Sequence, residues 1–197
     1  MNRASMSVTL PLPGLRATCA DDVVERLRGG DLDALGEAYD AHHAHVRAFA
    51  RRLVGDDAAA EDLVQEVFVS LPRVIQRFRG GSALRTFLVA VAVNHARHHV
   101  RAAARRRAAM TRLTREPAAA ATDPEGHAER GQLAAALVRA LDELPLEQRV
   151  AFVLCEVEEL SAAAAALAAG VPEATVRTRL FHARRKLRIC LSREGLR

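Results

Sequence analysis

Ser161-Ala162-Ala163-Ala164-Ala165-Ala166-Leu167-Ala168-Ala169-Gly170-Val171-Pro172-Glu173-Ala174-Thr175-Val176-Arg177-Thr178-Arg179-Leu180 is the stretch whose reading decides the fold. Ala166, Gly170 and Val176 stand at spacings of four and six. A small residue lets two helices approach closely, and glycine supplies the left-handed turn that ends the first of them. A branched apolar residue on the second helix then packs back into the angle. Pro172-Glu173 suits a helix start, because proline has no amide to satisfy there and an acid favours the positive end of the helix dipole. The spacing predicts a helix-turn-helix. Its second helix displays Thr175, Arg177, Thr178, Arg179, His182 and Arg185, with an apolar face of Val176, Leu180, Ala183, Leu187 and Leu191. Arginine pairs bidentately with guanine, and threonine and arginine both reach phosphates. A solvated basic helix in an ordinary bundle shares the turn spacing. Seven bases and no acid between Arg177 and Arg193 weigh towards nucleic acid.

Outward from this stretch the chain reads as all-α. Of its 197 residues, 50% are hydrophobic and only 4% aromatic, and alanine, a strong helix former, is abundant. β-Branched and aromatic residues are too sparse for a sandwich or barrel. Leu35, Tyr39, Val46, Phe49 and Leu53 recur at helical spacing until Gly55-Asp56, and Asp56 or Asp57 suits the cap of the next helix. That helix carries Val64, Val67/Phe68, Leu71 and Val74/Ile75, with Pro72 predicted to kink or divide it. Gly80-Gly81-Ser82 reads as a loop with a capping serine before a helix through Leu84, Phe87/Leu88 and Val91/Ala92. Periodicity fails between Thr111 and Gly131, where Pro117, an alanine run and Asp123-Pro124 mark an exposed linker. The expectation is two small helical domains joined by a flexible linker: a disordered tail over 1–20, a first domain over 21–110, the linker over 111–130 and the helix-turn-helix domain over 131–197.

Charge is segregated along this plan. The formal net charge is +5, and 28 of the 29 bases are arginine. Between Asp21 and Glu66 twelve acids face five bases, whereas Arg101–Arg115 holds six arginines and no acid. An acidic front and two basic blocks predict separate surfaces, one for a basic protein and the others for phosphates. Three widely spaced cysteines (Cys19, Cys155, Cys190) indicate reduced thiols rather than a disulfide framework or zinc ribbon. No apolar run approaches the ~20 residues of a membrane span, and the expected location is cytoplasmic. No phosphate loop, nucleophile elbow or Cys/His dyad points to an enzyme, and no cofactor is expected. His95 with His98 or His99 has i,i+3/i+4 spacing compatible with a metal. There is no HExxH motif and no evident third ligand, so no metal site is assigned.

Asp62-Leu63-Val64-Gln65-Glu66-Val67-Phe68 resembles the core-polymerase-binding helix of bacterial sigma-70-type factors. Phe87-Leu88, Val91-Ala92, Asn94 and Arg101 resemble the helix that follows it. Leu144-Pro145, Arg149 and Leu160–Leu180 resemble the C-terminal sigma domain. The order of these motifs and the chain length fit the extracytoplasmic-function subgroup. The resemblance implies docking of Asp62, Gln65, Glu66 and Phe68 on the largest subunits of core RNA polymerase. It implies contacts of Asn94, Arg97, Arg101 and Arg105 with a −10 element, and contacts of Thr175, Arg177, Thr178, Arg179, His182 and Arg185 with a −35 element of promoter DNA. It also implies control by an anti-sigma factor. Phe87 replaces the family's tryptophan, and Ala163–Ala166 replace the family's usual E-E-I-A, so a glutamate that helps position −35 contacts is missing. Two further readings stand beside this one: a stand-alone helix-turn-helix regulator, and, motivated by the alanine run, a polymerase-binding adaptor that has lost −35 recognition. The acidic Asp62–Glu66 surface argues against the former.

Overall fold

The computed structural model describes residues 17–113 and 130–193, with side chains over 22–101 and 136–193. Every regular element among them is helical. The first half holds α1 (Ala17–Arg28), α2 (Leu32–Val54), α3 (Asp57–Val74) with a 3₁₀ turn at Ile75–Arg77, and α4 (Leu84–Leu113). The second holds α5 (Arg130–Asp142), α6 (Leu146–Phe152) widening into a π turn at Val153–Val157, α7 (Ala162–Ala169) and α8 (Glu173–Arg193). α1 begins inside the stretch assigned to the tail, α4 outruns residue 110 and α5 begins at Arg130. The tail proper and the body of the linker, 1–16 and 114–129, lie outside the described residues.

Local chemistry sets the helix ends. The Asp31 carboxylate accepts from the amides of Asp33 (2.8 Å) and Ala34 (3.3 Å) and opens α2. Gly55 closes it in the left-handed region at φ 77°. Asp56 then caps α3 through the Ala59 amide at 2.8 Å. Pro72 marks the division of the apolar run: the α-helix stops at Val74 and a 3₁₀ turn takes over at Ile75. The proline falls in the last turn, where its missing amide removes one helical bond just before the 3₁₀ turn. The serine cap expected at Ser82 is displaced by one residue: the Ala83 carbonyl accepts the first amides of α4, from Thr86 (3.0 Å) and Phe87 (3.2 Å). Ser161 Oγ caps α7 through the Ala164 amide at 3.2 Å, and Gly170 ends α7 at φ 64°.

The main core gathers Phe49, Leu53, Leu63, Val67, Leu71, Ile75 and Leu88 of the first half, all but sealed from solvent. It continues without a break into the second half through Val150, Val153, Leu154, Ala165, Ala166, Ala168, Ala169 and Val176. A smaller core of Ala140, Leu141, Leu144, Ala183 and Leu187 holds α5 on α8. The two helical domains therefore pack against each other. Burying charge across such a seam is expensive unless the charge is paired, and the seam's charges are paired. Arg149 of α6 donates to the Leu53 carbonyl at the end of α2 (2.8 Å) and to Asp142 (2.9 Å). Burial pushes the Arg149 guanidinium down, against the opposing pull of Asp142. His45 Nε2 of α2 lies 2.9 Å from the buried carboxylate of Glu158, close enough for an ion pair but without hydrogen-bond alignment.

Candidate functional site

On α3 the acidic residues face outward. Asp62, Gln65 and Glu66 are exposed, one helical turn apart. Phe68 does not join them. It is 5% exposed and meets Tyr39 edge-on at 4.9 Å between ring centroids, so its expected polymerase contact is corrected to a core role. The physical reason is its register: Phe68 shares the stripe of Val64 and Leu71. Val69, which sequence reasoning passed over, is 80% exposed. The signal was available, since Val69 stands seven residues from Asp62 and three from Glu66. Two histidines of α4 hold the Glu66 carboxylate, His95 Nδ1 on one oxygen (3.1 Å) and His99 Nε2 on the other (2.9 Å). Among the described residues no group of three or more His, Cys, Asp or Glu side chains is arranged to hold a metal ion.

On α4, Asn94 and Arg101 are exposed. Arg105 lies on the same helix, beyond the described side chains. Arg97 is different. Its Nε and Nη2 donate to the two carboxylate oxygens of Glu147 on α6, each at 2.9 Å. Its Nη1 donates at 2.7 Å to the Ala169 carbonyl, at the end of α7. Only 14% of the side chain remains exposed. In this arrangement Arg97 faces protein, a correction to its expected freedom to meet phosphate.

The helix-turn-helix forms as its spacing predicts. Gly170 makes the left-handed turn, Val176 is buried in the angle, and the Pro172 carbonyl accepts from Thr175 (3.0 Å) and Val176 (3.2 Å) as α8 begins. On α8, Arg177, Thr178, His182 and Arg185 are exposed and Thr175 is half-buried. Arg177 pairs with Glu173 one turn back, and the Thr178 hydroxyl donates to the Ala174 carbonyl at 3.0 Å. Arg179 turns instead to α6, where its Nη1 meets Glu147 Oε2 at 2.6 Å. Glu147 thus binds one arginine from each half. Partial burial works to raise its carboxyl, but the Arg97 hydrogen bond and the charges of Arg97, Arg179 and Arg101 outweigh this and hold it below the ordinary value. Glu147 had no marker in the sequence beyond being an acid in the first turn of a helix.

Sigma-70 region 2 matches residues 38–106, and Sigma-70 region 4 matches residues 134–187. The chain belongs to the extracytoplasmic-function group of the sigma-70 family. The sigma-H factor of Pseudomonas aeruginosa is 33% identical over 171 residues, covering 82% of this chain and 88% of that protein. CarQ of Myxococcus xanthus is 33% identical over 171 residues, covering 84% and 93%. The sigma-E factor of Escherichia coli is 32% identical over 172 residues, covering 82% and 88%. Among solved structures, the sigma factor RpoE bound to the anti-sigma factor NepR from Bartonella quintana superposes with a TM-score of 0.63 at 25% identity, covering 80% of this chain and 96% of that one. CnrH, solved with the cytosolic domain of CnrY, shares the fold with a TM-score of 0.62 at 21% identity, covering 88% and 97%. This sigma factor directs transcription initiation, and the readings as a stand-alone regulator or a reduced adaptor are not favoured. No described helix is long and apolar enough to cross a membrane.

Proposed function

We propose that this sigma factor docks on core RNA polymerase through the outer face of α3 and reads promoter DNA with α4 and α8. The observation that carries the reading is the face of α3 itself: Asp62, Gln65 and Glu66 stand exposed around Val69, an acidic rim about an apolar centre. Such an arrangement suits a basic protein surface, with Val69 as the desolvated contact and the acids as steering charges. Asn94, Arg101 and Arg105 on α4 engage the −10 region, and Thr175, Arg177, Thr178, His182 and Arg185 on α8 engage the −35 element. Arg97 and Arg179, bound to Glu147 in this structure, belong to the same two surfaces. The chain performs no catalytic step of its own, since the chemistry of RNA synthesis belongs to the polymerase. Its place of action is the cytoplasm, where polymerase and DNA are, and an anti-sigma factor of the kind bound to RpoE is its regulator.

Charge reversal at Asp62 and Glu66 tests the docking face. The expected result is loss of holoenzyme with retained helical content and melting cooperativity; holoenzyme formed at normal affinity overturns the assignment. Transcription from sheared genomic DNA with purified core polymerase tests the reading heads. Start sites that depend on this protein and share both upstream elements are expected. Start sites sharing only a −10 motif would remove α8 from promoter reading.

A further inference from the structure

The Glu66 carboxylate is exposed on the outer face of α3, yet two half-buried histidines of α4 grip it. His95 Nδ1 lies 3.1 Å from one oxygen, and His99 Nε2 meets the other at 2.9 Å. The two rings stand one helical turn apart and present different nitrogens to the same group. On its other side, His95 Nε2 lies 3.1 Å from Ser70 Oγ, one turn beyond Glu66 on α3. The Ser70 hydroxyl also reaches the Val67 carbonyl at 2.9 Å. Protons are limited in this chain of contacts. A carboxylate only accepts, so the nitrogens facing Glu66 are the protonated ones. A hydroxyl has one hydrogen, so beside a neutral His95 it serves either Nε2 or Val67. Beside a charged His95, Nε2 donates to Ser70 and the hydroxyl keeps Val67. The imidazolium then has each of its two N–H groups facing an acceptor. Other charges stand around the site. Along α3, Asp62 precedes Glu66 by one turn, and Arg73 and Arg77 follow two and three turns on. On α4, His98 is exposed between the two histidines and Arg101 follows them. From α2, Arg47 pairs with Glu61, Arg51 with Asp57, and His43 stacks on Tyr39. Glu147 of α6 is taken by Arg97, and α7 carries no ionisable side chain.

We infer that His95 and His99 are positioning residues for docking: they hold the Glu66 carboxylate in one orientation on the outer face of α3, and their protonation sets how much charge it presents to polymerase. The inference rests on the assignment of Glu66 to polymerase docking. A glutamate on a helix surface otherwise turns freely about its side-chain bonds, and ordering it on binding lowers affinity. Two neutral imidazoles donating N–H bonds order it beforehand and leave its negative charge in place. A proton added to either ring compensates that charge and weakens the attraction to a basic partner. Histidine is the side chain whose ordinary pKa lies next to physiological pH. The pair that orients the carboxylate therefore also grades its charge, which neither Asp62 nor Gln65 does.

The test titrates the full chain with purified core polymerase between about pH 8 and about pH 6. His95→Asn combined with His99→Gln keeps a donor at each of the two nitrogen positions but gains no proton. His95→Ala combined with His99→Ala removes both donors. The parent's affinity is expected to fall about two- to fivefold towards the acid end, measured against the donor-keeping variant. That variant's own profile carries the titration of every other group, the polymerase's included. At the alkaline end it should match the parent, while the double alanine variant should bind about three- to tenfold more weakly. His98→Gln, one histidine fewer on the same helix, should keep the parent's profile. Parallel profiles for the parent and the donor-keeping variant overturn the control by charge. Full affinity of the double alanine variant at the alkaline end overturns the positioning. Nitrogen NMR of the free chain judges the clasp without polymerase. At the alkaline end the proton is expected on Nδ1 of His95 and on Nε2 of His99, with both signals disturbed by Glu66→Gln; undisturbed signals overturn the clasp itself. Polymerase affinity unchanged by Glu66→Gln would instead take Glu66 out of the docking face, and the inference with it, even where the spectra show the clasp intact.

Discussion

Phe68 and Val69 are neighbours in sequence with opposite fates. One rotates into the stripe of Val64 and Leu71, the other outward among Asp62, Gln65 and Glu66. Truncating Phe68 to alanine empties a packed site and should lower stability by about 3–5 kcal/mol in denaturant titration. Truncating Val69 should change stability by less than about 0.5 kcal/mol while weakening polymerase binding, so the two variants separate folding from docking. Glu147 makes a different kind of prediction. Its carboxyl is held below the ordinary value when its arginines are present. A carboxylate depressed in one state favours that state above its ordinary pKa and ceases to do so as pH falls through the depressed value. The contribution of Glu147 to the folded packing is therefore expected to be full at neutral pH and to fade in acid below the usual carboxylate range. Glu147→Gln should show a flatter dependence of melting temperature on pH over that range; parallel curves would exclude Glu147 as the group responsible.

At the scale of elements, the glycines that end α2 and α7 do unequal work. Gly170 sits at φ 64° with open space where a Cβ would go, so Gly170→Ala carries only the backbone penalty, about 1–2 kcal/mol. Gly55 adds to a similar penalty a collision with Asp142 of the other half. In thermal melts Gly55→Ala is expected to be the more damaging of the two, and replacing Asp142 as well should recover part of the difference only if the halves are packed. Much of this level was legible in the sequence. Gly55, Asp56, Gly170 and Pro172 announced their turns because caps and left-handed positions are local chemistry, readable within a few residues. Asp31 was equally local and was passed over, although an acid directly before a leucine-periodic run carries the same signal. Ser82 misled because the loop geometry shifts the first helical carbonyl to Ala83.

The whole molecule was legible in its parts and not in their meeting. Ordered motifs and segregated charge placed two helical domains and their partners. Nothing local could pair Arg97 with Glu147, fifty residues away, or Arg179 with the same oxygen, because such contacts are chosen by tertiary packing rather than by spacing. The alanine run is the clearest case: read along the chain it looks like lost side chains, and read in space it is the shape of an interface. The sharing of Glu147 also bears on how such a protein changes over generations. On the proposed reading a single carboxylate answers to one arginine of each DNA-facing helix, so a lineage that alters residue 97 also disturbs the partner of residue 179. On that reading, drift at 97, 147 and 179 is expected to be correlated, so that two promoter preferences written separately on the DNA would be inherited as one character.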